Sequence, residues 1–270
     1  MTTVGVTSAA LPLADQLAAL KAQIRAAPGS APLRVHYFQL LCVLGDWTRA
    51  LEQLQLCAQL DPTAQTMARA YREVIRCEVL RQDVFAGKRR PFLIGEPAAW
   101  MAWMIDALAL DSTGRHEEAH ALRAGALQDA PARAGSVGEH DFAWLADSDT
   151  RLGPVCELLA SGRYYWLALD QIAQIAFEPV QDLRDLVWLP CELTLVHGGV
   201  LQGFMPVRYP AVEGDDDALK LARRTDWTSL GGEHLAGHGQ RSWVSDTDDF
   251  AMLQVRRIGF APEAGQPAGA

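Results

Sequence analysis

This sequence contains no glycine loop of the G-x-x-x-x-G-K-[ST] or G-x-G-x-x-G type and no G-x-S-x-G turn. It therefore lacks the signatures of P-loop nucleotide binding, dinucleotide binding and the α/β-hydrolase nucleophile. The five cysteines (Cys42, Cys57, Cys77, Cys156 and Cys191) are odd in number and include no C-x-x-C pair. Three of them fall in helical apolar patterns, so they read as small buried residues in a reducing compartment. No apolar run reaches the ~18 residues a spanning helix needs. The N-terminus shows no basic segment leading into a continuous apolar core. Positive charge is in deficit: 24 Lys and Arg against 33 Asp and Glu give a formal charge of −9 over 270 residues. Arg256-Arg257, Arg223-Arg224 and Lys88-Arg89-Arg90 are too short to build a phosphate-binding face. The expectation is a cytoplasmic protein with no nucleic-acid partner and no membrane insertion. The acidic balance suits a basic partner surface or plain solubility.

Hydrophobic residues make up 49% and charged residues 21%, an ordinary globular composition. The first half reads as helices. Leu13, Leu17, Leu20 and Ile24 step by three or four, and Ala27-Pro28-Gly29-Ser30 stops them. A second helix runs from about Pro32 to Val43 and a third from Trp47 to Asp61-Pro62. Gly45, Ala50 and Pro62 recur as Gly114, Ala119 and Pro131, each 69 residues later. Glycine opens a tight turn and alanine lets helices cross closely. Since 69 is about two tetratricopeptide repeats of ~34 residues, a degenerate unit is expected between the two sets. Ala64 to Phe85 reads there as one long helix, and Gly87 to Pro91 as a loop.

Pro131 to His140 is the candidate boundary. Beyond it, a short helix is expected from Pro154 to Leu159. Strands are expected at Arg163–Leu169, Ile172–Phe177 and Leu186–Val196, where Pro190 suggests a bulge or an edge. His197-Gly198-Gly199 turns the chain into a hairpin with Val200–Tyr209. Leu219 to Trp227 is open between strand and helix, and Gln240–Val244 and Phe250–Ile258 read as closing strands. The fold class is α+β, a tetratricopeptide-like helical array followed by a strand-rich mixed α/β domain. The expected divisions are an unstructured 1–10, a helical domain over 11–133, a strand-rich domain over 139–260 and a flexible tail over 261–270.

Few residues carry candidate chemistry. His234 and His238 have the i, i+4 spacing of helical zinc sites, but four glycines within residues 231–239 argue against a helix. Asp215-Asp216-Asp217 reads as an acidic loop before a cation site. Cys191 and His197 would form a nucleophile and base only if the fold brought them together. Asp147 and Asp149 flank Arg151, and Asp182 and Asp185 flank Arg184, a pattern of local ion pairs and turn caps more than of acid–base chemistry. No metal or cofactor is expected.

A set of motifs after the boundary is more specific. It comprises Trp144-x-x-Asp147-x-Asp149-x-Arg151-Leu152-Gly153-Pro154, Gly162-Arg163-Tyr164-Tyr165-Trp166 and Asp182 through Pro190. It continues with Arg208-Tyr209-Pro210, Leu221 through Trp227, Gly237-x-Gly239-Gln240-Arg241 and Val255-Arg256-Arg257-Ile258. In order and spacing this set resembles the ImpE or TagJ accessory proteins of the bacterial type VI secretion system. The helical half resembles the tetratricopeptide-like region of that family more loosely.

The resemblance implies a non-catalytic adaptor that binds the N-terminal helix of the sheath subunit TssB and modulates sheath disassembly by the ClpV ATPase, a second candidate partner. No catalytic residue carries over from it. Trp100 and Trp103, three apart on one helical face, read as core or as the lining of a groove for a partner helix, and Asp182, Arg184 and Asp185 as internal ion pairs or a recognition edge; these five are the candidate partner-binding residues. The competing readings are a hydrolase or metal enzyme centred on His234 and His238, and a generic tetratricopeptide scaffold. Nothing in the sequence sets an oligomeric state.

Overall fold

The structure, a computed structural model, describes residues 11–95 and 98–262. The expectations for 1–10 and for most of the C-terminal tail lie outside the described residues. Compactness divides the chain within one helix, with residues up to Arg72 in a first unit and those from Glu73 in a second.

The first unit holds α1 (Leu13–Ala26), α2 (Ala31–Leu44), α3 (Trp47–Leu60) and the start of α4 (Gln65–Phe85). Leu13, Leu20 and Ile24 are the buried stripe of α1. Pro32 stands in the first turn of α2, where its missing N–H costs nothing. Gly45 closes α2 in the left-handed region, φ 74°, with its N–H bonded back into the last turn. Asp46 then caps α3 by accepting from the Arg49 N–H, and Ala50 is fully buried. Phe38 and Tyr71 meet edge to face at 5.8 Å.

In the second unit α5 (Ala99–Ser112) and α6 (His116–Asp129) form a hairpin of the same kind. Gly114 has φ 76° and Ala119 is buried. Between the two hairpins the long helix expected from Ala64 to Phe85 is present as α4, in place of a degenerate helix pair, and the loop expected at Gly87 to Pro91 follows it. A single helix, α4, is followed by the two-residue strand β1 (Phe92–Leu93), which lies parallel to β6 (Arg163–Ala168).

The remaining strands are β2 (Gly135–Val137), β3 (His140–Phe142), β4 (Leu145–Asp147), β5 (Val155–Ala160), β7 (Ile172–Phe177), β8 (Trp188–Leu195) and β9 (Val200–Pro206). After a short helix α7 (Asp217–Lys220) come β10 (Thr225–Gly231), β11 (His234–Gly239), β12 (Ser242–Ser245), β13 (Asp249–Ala251) and β14 (Arg257–Phe260). A nine-stranded sheet runs β1-β6-β5-β9-β8-β7-β14-β2-β3, beside a β10-β11 hairpin and a β13-β12-β4 sheet. The hydrophobic core that these sheets share includes Leu158, Leu167, Ile175, Leu193, Met205, Trp243 and Ile258.

The fold class stands as read, a helical array in sequence before a strand-rich part. Local details differ. The segment expected to be helical from Pro154 is β5, buried on both faces and therefore without alternation. The expected boundary at 131–140 supplies β2, whose Gly135 would place a Cβ 2.2 Å from the Gly259 carbonyl. Pro190 is in neither an edge nor a bulge but in β8, between β7 and β9. Its carbonyl accepts from the Glu178 N–H, one residue past the last strand residue of β7, so its absent N–H faces the end of that ladder. Among the described residues no helix is long and apolar enough to cross a membrane.

Candidate functional site

Polar residues from several of these motifs converge in one buried cluster. In β6 the two-residue period puts Tyr164 and Trp166 on one face, and the Trp166 indole donates to the Tyr164 hydroxyl at 2.6 Å. Tyr164 in turn donates to Glu157 at 2.5 Å, from β6 to the adjacent β5. Glu157 is fully buried and meets two guanidiniums: Arg81 of α4 at 2.6 and 3.1 Å, and Arg241 at 3.0 Å. Arg81 extends to Glu78 at 3.2 Å and to the Arg208 carbonyl at 3.0 Å, while the Trp188 indole donates to the other Glu78 oxygen at 2.8 Å.

Arg241 continues to Asp147 at 2.6 and 3.0 Å, and the Tyr209 hydroxyl donates to that carboxylate at 2.9 Å. Asp147 accepts from the Asp149 N–H. Asp149 holds Arg151 at 2.6 Å and accepts from the Gly237 N–H at 2.9 Å. The cluster thus ties α4 to β5, β4, the segment before β12, and the β10-β11 hairpin.

Burial opposes the charge on Arg81, yet Glu157 and Glu78 hold its guanidinium ionised. Burial likewise opposes the Glu157 carboxylate, and Arg81 and Arg241 bring it below its usual range. Counting Arg81, Arg151 and Arg241 against Glu78, Glu157, Asp147 and Asp149, carboxylates exceed guanidiniums by one. The excess falls on Asp147, pushed up to about 6 by burial, against the pull of Arg241, with Asp149 adding to the rise.

A carboxyl raised in the folded state binds its proton before the unfolded chain does. Its contribution therefore improves as pH falls from about 6 towards 4 and is lost as pH rises through that window. Relative to Asp147→Asn, the protein is expected to gain up to ~3 kcal/mol between pH 7 and pH 4. Urea unfolding of both proteins across that range checks it, and a constant difference would contradict the assignment.

The other candidate groups are spoken for locally or lie apart. Asp182 caps the turn Leu183–Leu186, accepting from the Arg184 N–H at 2.9 Å and pairing with the Arg184 side chain. Asp185 completes the capping box through the Asp182 and Gln181 N–H groups. Trp100 is 2% exposed within α5, whereas Trp103 is 37% exposed.

His234 and His238 sit on β11, where four residues span roughly 13 Å, so this spacing does not aim two rings at one metal. His238 instead meets the Thr228 hydroxyl at 2.8 Å, and His234 faces His120 of α6. Cys191 is buried in β8 and its thiol is pushed well above the usual range by burial, while His197 lies in the turn beyond the strand. Asp216 caps α7 and pairs with Arg224, and Asp215 accepts from the Val212 N–H.

Glu78, Arg81 and Glu157 drew no attention in the sequence. The signal was available: Glu78 and Arg81 continue the buried stripe of α4 formed by Tyr71, Val74 and Ile75, and Glu157 interrupts an apolar run. Chemically the cluster is a brace. Its carboxylates are buried against guanidiniums, hydroxyls and amides, with Glu157 and Asp149 at zero exposure, whereas a general acid or base has to reach a substrate.

The comparisons agree with the motifs. The ImpE protein family matches residues 139–259, which span most of the cluster. The type VI secretion system accessory component TagJ of Pseudomonas aeruginosa is 46% identical over 251 residues, covering 93% of this chain and 88% of that protein. A crystal structure of a Vibrio parahaemolyticus protein superposes with a TM-score of 0.86 at 26% identity, covering 93% of this chain and 94% of the other. The chain belongs to the ImpE/TagJ family of type VI secretion system accessory proteins.

Proposed function

We propose that this chain is a non-catalytic adaptor of the type VI secretion system. It acts in the cytoplasm, binds the N-terminal helix of the sheath subunit TssB and modulates ClpV-dependent disassembly of the sheath. The observation that carries this reading is the 46% identity, over 93% of the chain, to a protein named as an accessory component of that system. The polar motifs support it, because they are used as internal bracing. An amphipathic helix docks through a few large apolar anchors at helical spacing.

Of the residues proposed to meet the partner, Trp103 has the accessible ring. Trp100 acts beneath it as core, and its change to alanine is expected to cost about 3–5 kcal/mol of stability. Asp182, Arg184 and Asp185 hold their own turn, so they would contribute by shaping its backbone. Calorimetric titration with a peptide of the cognate TssB N-terminal helix is expected to give saturable binding near micromolar affinity, about −8 kcal/mol. Trp103→Ala should weaken it about tenfold or more with the unfolding midpoint retained. Absence of heat at several temperatures would reject the TssB helix as the ligand. Unchanged affinity of the variant would reject the placement at Trp103.

A further inference from the structure

An open cleft of about 640 Å³ separates α6 from the tip of the β10-β11 hairpin, lined among others by His120, Leu127, Thr150, Glu233 and His234. The His120 and His234 rings lie 4.8 Å apart, tilted by 34°. Backbone approach seats the first of them, since a Cβ on Gly231 would fall 2.6 Å from the His120 ring. His120 Nε2 and His234 Nδ1 are buried and have no hydrogen-bond partner among the described residues. One turn along α6, Arg123 is fully buried. It bonds Asp111 through one nitrogen at 2.6 Å, and its Nε and Nη1 have no partner among the described residues.

We propose that this cleft binds an oxyanion, a carboxylate or a phosphate, held by His120 and His234 in the field of Arg123. Arg123 does not line the cleft, so its guanidinium acts on a guest through its charge, and its unpaired donors mark surroundings poor in acceptors. An oxyanion brings several acceptors and opposite charge. Asp111 on α5 is already engaged by Arg123 and by His116 at 3.1 Å. Glu233, at the hairpin tip, is the one like charge lining the cleft that an anion would meet.

Binding is coupled to a proton. Burial lowers the basicity of His234, Arg123 and His120 lower it further, and Asp111 and a bond to the His120 backbone act the other way. His234 Nδ1 has no partner among the described residues, and a neutral imidazole offers one donor where an imidazolium offers two. Protonation makes both nitrogens of the His234 ring donors and adds a positive charge facing the guest, so the complex takes up a proton and tightens as pH falls.

The test is to follow the histidine ring protons by NMR in the full chain, titrating sodium phosphate and, separately, sodium acetate at fixed ionic strength. Saturable shifts at His120 and His234 are expected with at least one of them, phosphate alone marking a phosphate site and acetate alone a carboxylate site. Affinity should fall by up to tenfold per pH unit once pH rises past the lowered titration range of His234. With acetate, which stays ionised across this range, His234→Gln should flatten the pH dependence. Glu233→Gln, in an exposed turn, should tighten binding severalfold by removing a like charge. Non-saturating shifts with both anions would overturn the proposal. So would weaker binding by Glu233→Gln, which is the response of a cation site.

Discussion

Arg241→Met is expected to lower the unfolding free energy by about 3–5 kcal/mol, the range for breaking a buried ion pair from one side. The methionine replaces the aliphatic part of the side chain and removes the charge. Glu157 then keeps Arg81, whereas Asp147 loses its guanidinium and retains the Tyr209 hydroxyl and the Asp149 N–H. With carboxylates already in excess by one, the substitution raises the excess to two. Combining Arg241→Met with Asp147→Asn should recover part of the loss, because the stranded charge is gone. Urea unfolding of the two single variants and the double variant measures that coupling. A single-variant cost below about 1 kcal/mol, the scale of an exposed pair, would mean that the cluster is hydrated and does not brace the fold.

The same cluster shows what could be read from the chain and what could not. Asp149–Arg151 and Asp182–Arg184 were legible because both partners sit in one turn, two residues apart. Asp147–Arg241, Arg81–Glu157 and Trp188–Glu78 join residues 94, 76 and 110 positions apart. Such partners are set by strand order, which no local pattern encodes. Helix periodicity placed α1 through α4 closely, since each carries a stripe or a terminating glycine or proline. It failed at β5, where burial on both faces erased the alternation that marks a strand. The two-residue β1 was invisible for a simpler reason: it has no period, and its partner lies 73 residues on.

Resemblance to the family located the motif residues, but their physical role needed coordinates. Tyr164, Trp166, Tyr209 and Arg241 could each have lined a surface. All four are buried. For Trp100 and Trp103, a spacing of three implied one face, yet one ring is core and the other is exposed. Helix neighbours at that spacing lie about 100° × 3 apart around the axis, close to a face but not on the same line. An exposure difference of this size therefore fits a face that meets solvent at its margin.

Gly237→Ala carries the second large effect, expected at about 3–4 kcal/mol. A Cβ at this position would lie 2.2 Å from the Tyr209 ring, a contact no side chain tolerates without movement. The ring has little room to yield. Trp227 stands against it at 5.6 Å, and its hydroxyl is fixed by Asp147 at 2.9 Å and by the Ser242 N–H at 3.2 Å. Overpacking by one methyl costs about 1–3 kcal/mol. Displacing the hydroxyl adds the cost of a buried carboxylate short of a donor, roughly 1–3 kcal/mol more. Tyr209→Leu in the same background removes the colliding ring edge and the hydroxyl together. The double variant should then be more stable than the sum of the two single losses predicts, by at least about 1 kcal/mol. Thermal and urea unfolding of the three variants decides the matter. Strict additivity would show that the alanine is absorbed by the hairpin backbone and that the seat of Tyr209 on Gly237 does not hold the cluster in place.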